Sequence, residues 1–101
     1  MADVTKVLVA KTAANVAADE YTVPASTTTT VRCISAANTT AVPVTVTLKF
    51  NAVVIVPTVA IPANQVVVWN GAWVLAAAQK INLVAGAAAS IDVYISGVES
   101  T

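Results

Sequence analysis

The sequence predicts an all-β protein, a single antiparallel β-sandwich of about eight strands, jelly-roll or immunoglobulin-like. Three observations predict it. Apolar and polar residues alternate with a period of two along much of the chain, the pattern of a half-buried strand. Turn signals separate these runs about every 8–12 residues, the rhythm of sandwiches and barrels. The chain also holds 20 Val and 13 Thr, β-branched residues that fit a pleated surface.

Nine short segments carry the pattern in chain order. Residues 4–10 hold the apolar run Val7-Leu8-Val9-Ala10, and residues 18–23 lead to the turn Pro24-Ala25-Ser26. Residues 28–36 start on the run Thr27-Thr28-Thr29-Thr30, read as exposed threonines at a strand start. They then set Arg32, Ile34 and Ala36 opposite Val31, Cys33 and Ser35. After Asn38-Thr39-Thr40, residues 42–50 give the clearest alternation: Val44, Val46, Leu48 and Phe50 on one face, Thr45, Thr47 and Lys49 on the other. Residues 53–56 follow, ended by Pro57, and Pro62-Ala63-Asn64 breaks the chain again. Residues 65–69 and 72–75 flank Asn70-Gly71, a two-residue hairpin signal because type I′ turns need positive φ at both central positions. Residues 80–84 alternate Ile81 and Leu83 with Asn82. Residues 90–97 set Ile91, Val93 and Ile95 against Ser90, Asp92, Tyr94 and Ser96. The Ala-rich pieces 13–18 and 76–78 show no period of 3.6 and read as loops. Residues 18–101 read as the sandwich domain, and residues 1–17 as an N-terminal arm or its first strand.

Composition excludes several functions. Length and surface scaling allow one core, with a folded surface of about 5,300 Å². Five cations balance five anions, too few and too scattered to grip nucleic acid. There is no His, so His-dependent triads, zinc sites and proton shuttles are absent. The stretch 50–79 carries no charge, but Asn51, Pro57, Pro62, Asn64, Gln65, Asn70 and Gly71 interrupt it. It is therefore not a membrane-spanning helix. The start carries Asp3 and only a four-residue apolar run, so no secretion signal is visible.

No enzyme is expected. Cys33 has no base to activate it and reads as a small core residue. Asp19 and Glu20 are neighbours that point to opposite faces of a strand. Asp92 alternates outward, and Gly71, Gly86 and Gly97 are too scattered for a phosphate cradle. No metal site and no cofactor is expected. Trp69 and Trp73 are either an exposed binding tip or interface anchor, or packing inside the sandwich. With Tyr94, Val7 and Val9 they form the candidate interface. The chain is 57% hydrophobic, more than a sandwich of this size buries. The excess predicts association with other copies or with a larger assembly.

Several segments resemble small virion proteins of tailed bacteriophages. They are Tyr21-Thr22-Val23-Pro24-Ala25 with Thr28-Thr29-Thr30-Val31-Arg32, and Asn38-Thr39-Thr40 with Pro43-Val44-Thr45-Val46-Thr47. Ile61-Pro62-Ala63-Asn64 and Gly71-Ala72-Trp73-Val74-Leu75 complete the set. The resemblance spans about residues 21–97. It implies a β-sandwich that decorates or cements the capsid shell, bound to the major capsid protein as a homotrimer. The expected location is the virion head, with synthesis in the host cytoplasm. A neck, tail or fibre-associated subunit is the alternative, including a host-surface recognition module using Trp69, Trp73 and Tyr94. The sequence departs from the pattern before Lys80-Ile81, where Ala78 stands in place of the usual glycine.

Overall fold

The structure, a computed structural model, describes residues 3–101. The strands are β1 (Asp3–Thr12), β2 (Ala18–Thr22), β3 (Thr28–Asn38), β4 (Val44–Phe50), β5 (Val53–Ile61), β6 (Val66–Leu75), β7 (Lys80–Ala85) and β8 (Ile91–Ser100). Two four-stranded antiparallel sheets form, ordered β1-β8-β3-β6 and β2-β7-β4-β5. Only β4 and β5 are consecutive strands that pair with each other. Every other connection crosses between sheets, which makes the sandwich a jelly roll and not immunoglobulin-like. The inward faces meet in a core whose fully buried members include Ile34, Leu48, Ile61, Ile81, Leu83, Ile91 and Ile95. The molecule measures 45 × 21 × 18 Å, and its accessible surface of 5168 Å² matches the size scaling.

Residues 3–12 of the segment expected as an arm or a first strand form β1, paired with β8 from Asp3↔Ser100 to Thr12↔Asp92. Met1 and Ala2 lie outside the described residues.

Four sequence expectations are corrected, the first being the Thr27–Thr30 run: Thr27 and Thr29 are buried and not exposed. Asn70-Gly71 does not turn the chain; it lies inside β6, and the two segments drawn on either side fuse into one strand. A hairpin there would leave two short arms, whereas the continuous strand pairs along β3 from Thr29↔Leu75 to Ala37↔Val66. The two-residue hairpin is instead Asn51-Ala52, with φ of 52° and 64°, the positive pair a type I′ turn requires. Pro57 does not end its strand. β5 is an edge strand, and its register shifts between Val46 and Leu48 of β4, where a bulge accommodates a residue without N–H. Cys33 is half-buried on the outer face of its sheet. A bulge at Arg32 moves the inward positions of β3 from Thr29 and Val31 to Ile34 and Ala36.

The bulges of the β1-β8-β3-β6 sheet form a line. Relative to β8, an extra residue sits at Leu8 in β1 and at Arg32 in β3, and β6 gains another relative to β3 between Asn70 and Trp73. They fall within the span Ile95–Gly97 of β8. Bulges bend a strand and sharpen its twist, so the whole sheet bends along one line.

The turn before β7 is tight, with Ala78 at its third position. Ala78 has φ of 70°, and the Gln79 N–H donates to the Ala76 carbonyl at 3.1 Å. This is the arrangement of a type II turn, which favours Gly at the Ala78 position.

Candidate interaction surface

The two long sides of the sandwich differ in charge. All ten ionisable Asp, Glu, Lys and Arg side chains lie on β1, β2, β3, β4, β7 and β8; β5, β6 and the connecting loops carry none. On the β1/β2 side, Lys11 pairs with Glu20 at 2.6 Å, Lys6 with Glu99 at 3.3 Å and Lys80 with Asp19 at 3.7 Å. The Asn82 Nδ2 also donates to Asp19 at 3.0 Å. The Lys11–Glu20 pair joins edge strand β1 to edge strand β2, linking the two sheets.

Tyr21 links the sheets again. Its hydroxyl donates to Glu99 and lies 2.8 Å from the Thr29 hydroxyl. Burial, and next the hydrogen bond to Glu99, push the Tyr21 pKa up to about 12. The Tyr21 hydrogen bond first, and then Lys6, hold the Glu99 carboxyl below its ordinary range. These charges and hydrogen bonds blunt the β1 and β2 edges against further strand pairing.

The β5/β6 side has no such protection. Its strands read VVIVPTVAI and VVVWNGAWVL. Their apolar residues are too many for the core to take. Ile55, Val59, Val67, Trp69 and Trp73 pack half-buried against it. Val53, Val54, Val66, Val68 and Val74 stay exposed, Val74 by 67%. An apolar, uncharged pair of sheet edges is a surface suited to association.

The candidate residues divide between two surfaces. Trp69 and Trp73 point inward from β6. The Trp73 ring meets Phe50 edge to face, 6.0 Å between centroids at 84°. It also lies against Gly71, where a Cβ would stand 3.1 Å from an indole carbon. The indoles therefore close the open side of the sandwich and form no exposed tip. Val9 is buried. Val7 and Tyr94 are exposed on the outer face of the β1-β8-β3-β6 sheet. Register places Val7, Ser96, Cys33 and Asn70 in one row, and Ala10, Tyr94, Ser35 and Val68 in the next. Because Ala10 and Ser35 are small, a shallow groove of about 400 Å³ opens beside Tyr94, bordered by Thr12 and Asp92. The Thr12 hydroxyl donates to Asp92 at 2.6 Å. The two tryptophans and Tyr94 thus share no common platform.

Sequence reading passed over Asn38, treated only as part of a turn. It is 2% exposed and uses its whole side-chain amide. Nδ2 donates to the carbonyls of Val42 at 2.7 Å and Ile61 at 2.9 Å, and Oδ1 accepts from the Thr40 N–H and hydroxyl. One side chain so fixes the crossing from β3 to β4 against the end of β5. The signal available in sequence was an Asn following an alternating run, followed by Thr-Thr, a local hydrogen-bonding motif.

No protein-family model and no curated protein matches the sequence. Among solved structures, the chain is similar to a subunit of Bacillus endospore appendages, described as a novel family of disulfide-linked pili. The identity is 17%, the TM-score is 0.53, and the match covers 98% of this chain and 88% of that one. At that identity the likeness establishes a shared fold.

Proposed function

We propose that this protein is a non-enzymatic structural subunit of a multi-copy assembly, held to its neighbours through the β5/β6 side. The observation that carries the proposal is the contrast of edges: ion pairs close β1 and β2, while β5 and β6 leave exposed valines and no charge. A jelly roll similar in fold to a pilus subunit is consistent with such a role. The finer reading is a bacteriophage head decoration or cement protein, bound as a homotrimer to the major capsid protein. It is supported by the resemblance of residues 21–97 to small virion proteins.

A surface appendage is the second reading, favoured by the fold it shares with the Bacillus appendage subunit. Here the chain's chemistry sets a condition. Its 101 residues contain one cysteine, Cys33. One cysteine makes at most one bridge per subunit, so disulfides alone cannot link these chains into a polymer, and contacts between sheets must carry the assembly.

Electron microscopy of particles from producing cells, with the protein labelled, tests the proposal. Label over the capsid shell supports the decoration reading, and label along filaments supports the appendage. Protein dispersed in neither, and monomeric when purified, overturns the structural role.

A further inference from the structure

The β6 edge fits a second copy of itself. Around Gly71 the strand is nearly palindromic: Trp69 mirrors Trp73, Val68 mirrors Val74, and Val67 mirrors Leu75. Antiparallel pairing of two β6 strands about a two-fold axis through Gly71 sets each of these residues opposite its mirror partner. The faces agree: Val68 and Val74 both point outward, and Trp69 and Trp73 both point inward. Directly opposite residues in an antiparallel pair share a face, so this register buries valine on valine and indole on indole. At the axis stands the one residue without a side chain, where another backbone can approach closely.

Resting on the assembly reading above, with a dimer in place of the homotrimer, we infer that two copies of this chain join through β6 into one eight-stranded sheet, about a two-fold axis at Gly71. Charge selects this partner. Pairing β6 with β1 or β2 of another copy would bury Lys6 and Lys11, or Asp19 and Glu20, against valines. β5 is the poorer edge, because Pro57 lacks an N–H and Thr58 beside it has φ of 48°. An isologous contact of this kind is the commonest in soluble oligomers.

The register gives a sharp test in a Cys33→Ser background. Val68→Cys faces position 74 of the partner, while its own copy lies about 20 Å away along the strands. Under mild oxidation, Val68→Cys alone and Val74→Cys alone stay uncross-linked, and a mixture of the two yields a covalent dimer. In sedimentation equilibrium the full chain dimerises, Val68→Lys weakens the dimer about 100-fold, and Val16→Lys, on a loop away from β6, leaves it unchanged. A chain that is monomeric throughout overturns the inference. Oligomers that Val68→Lys dissociates, but that do not cross-link in the mixture, overturn this register while leaving the assembly role in place.

Discussion

Gly97 is the position where the bent sheet tolerates no side chain. It lies on β8 opposite Lys6 of β1 and Val31 of β3, at the line of bulges. A Cβ there would stand 3.1 Å from both the Thr30 carbonyl carbon and the Val31 Cα, and closer still to the Thr30 carbonyl oxygen. All three are main-chain atoms of a paired central strand, so relief requires β3 and β8 to separate locally. Overpacking costs about 1–3 kcal/mol, and displacement of a ladder places Gly97→Ala at the upper end, about 3 kcal/mol. At about 4–8 °C per kcal/mol for a domain of this size, the melting midpoint falls by about 12–24 °C. Gly71→Ala, compared like Gly97→Ala in a monomeric Val68→Lys background, is the control: its nearest obstacles are indole carbons of Trp73 at 3.1–3.4 Å, a side chain that can shift on an edge strand. Both substitutions restrict the unfolded chain alike, so their difference isolates the clash. Thermal unfolding followed by circular dichroism reads both. A Gly97→Ala variant melting within about 3 °C of the parent, or no less stable than Gly71→Ala, refutes the close approach of β3 and β8.

Asn38→Ala removes four hydrogen bonds, among them the buried one to the Ile61 carbonyl, and should cost about 3 kcal/mol in urea unfolding; a loss under about 1 kcal/mol contradicts its role as a clamp. Ala78→Gly and Ala52→Gly relieve left-handed backbone at φ of 70° and 64°. Left-handed strain of about 1–2 kcal/mol exceeds the entropy cost of glycine, about 0.4–1 kcal/mol, so both variants should melt higher, and a lower midpoint in both counts against the turn assignments. The Tyr21–Glu99 link makes stability depend on pH at both extremes. The Glu99 pKa is lowered in the folded state, so its contribution is present above the unfolded carboxylate range and is lost as pH falls through the lowered value. The Tyr21 pKa is raised from 10.0 to about 12, so its contribution is complete below 10 and is lost between 10 and 12. Tyr21→Phe should flatten the alkaline limb of a stability–pH profile, and an unchanged limb refutes the assignment.

Strand existence was legible because both sheets have an inward face: the alternation of Val44, Val46 and Leu48 survives unbroken in the core. Strand continuity was not. Asn70-Gly71 has the local chemistry of a hairpin, yet pairing with β3 outweighs it. Such pairing is a property of a distant segment that local propensity cannot report. The same limit hid the bulges: Arg32 interrupts a two-residue period by one position, which in sequence looks like ordinary variation but turns Cys33 from the core to the outer face. For the interface, sequence identified excess apolar content and not its location. Trp69 and Trp73 drew attention as the largest apolar side chains, but they sit where the sandwich needs filling; the exposed residues are the plain valines beside them.

The distribution of charge has a consequence for how the chain avoids indiscriminate aggregation. A jelly roll has four open edges, and each is a template for another strand. Here β1 and β2 are blunted by Lys6, Lys11, Asp19 and Glu20, whose pairs would have to be desolvated before any strand could dock. β5 is blunted by Pro57, which lacks an N–H, and by the left-handed Thr58 beside it. Three of the four edges therefore resist pairing by separate physical means, and β6 lacks both charge and proline. If β6 were merely undefended, its exposed valines would invite open-ended stacking. A two-fold pairing consumes the edge in both partners and leaves none exposed, so association through β6 terminates at the dimer. Growth beyond it must then use other surfaces, among them the uncharged loops between the strands.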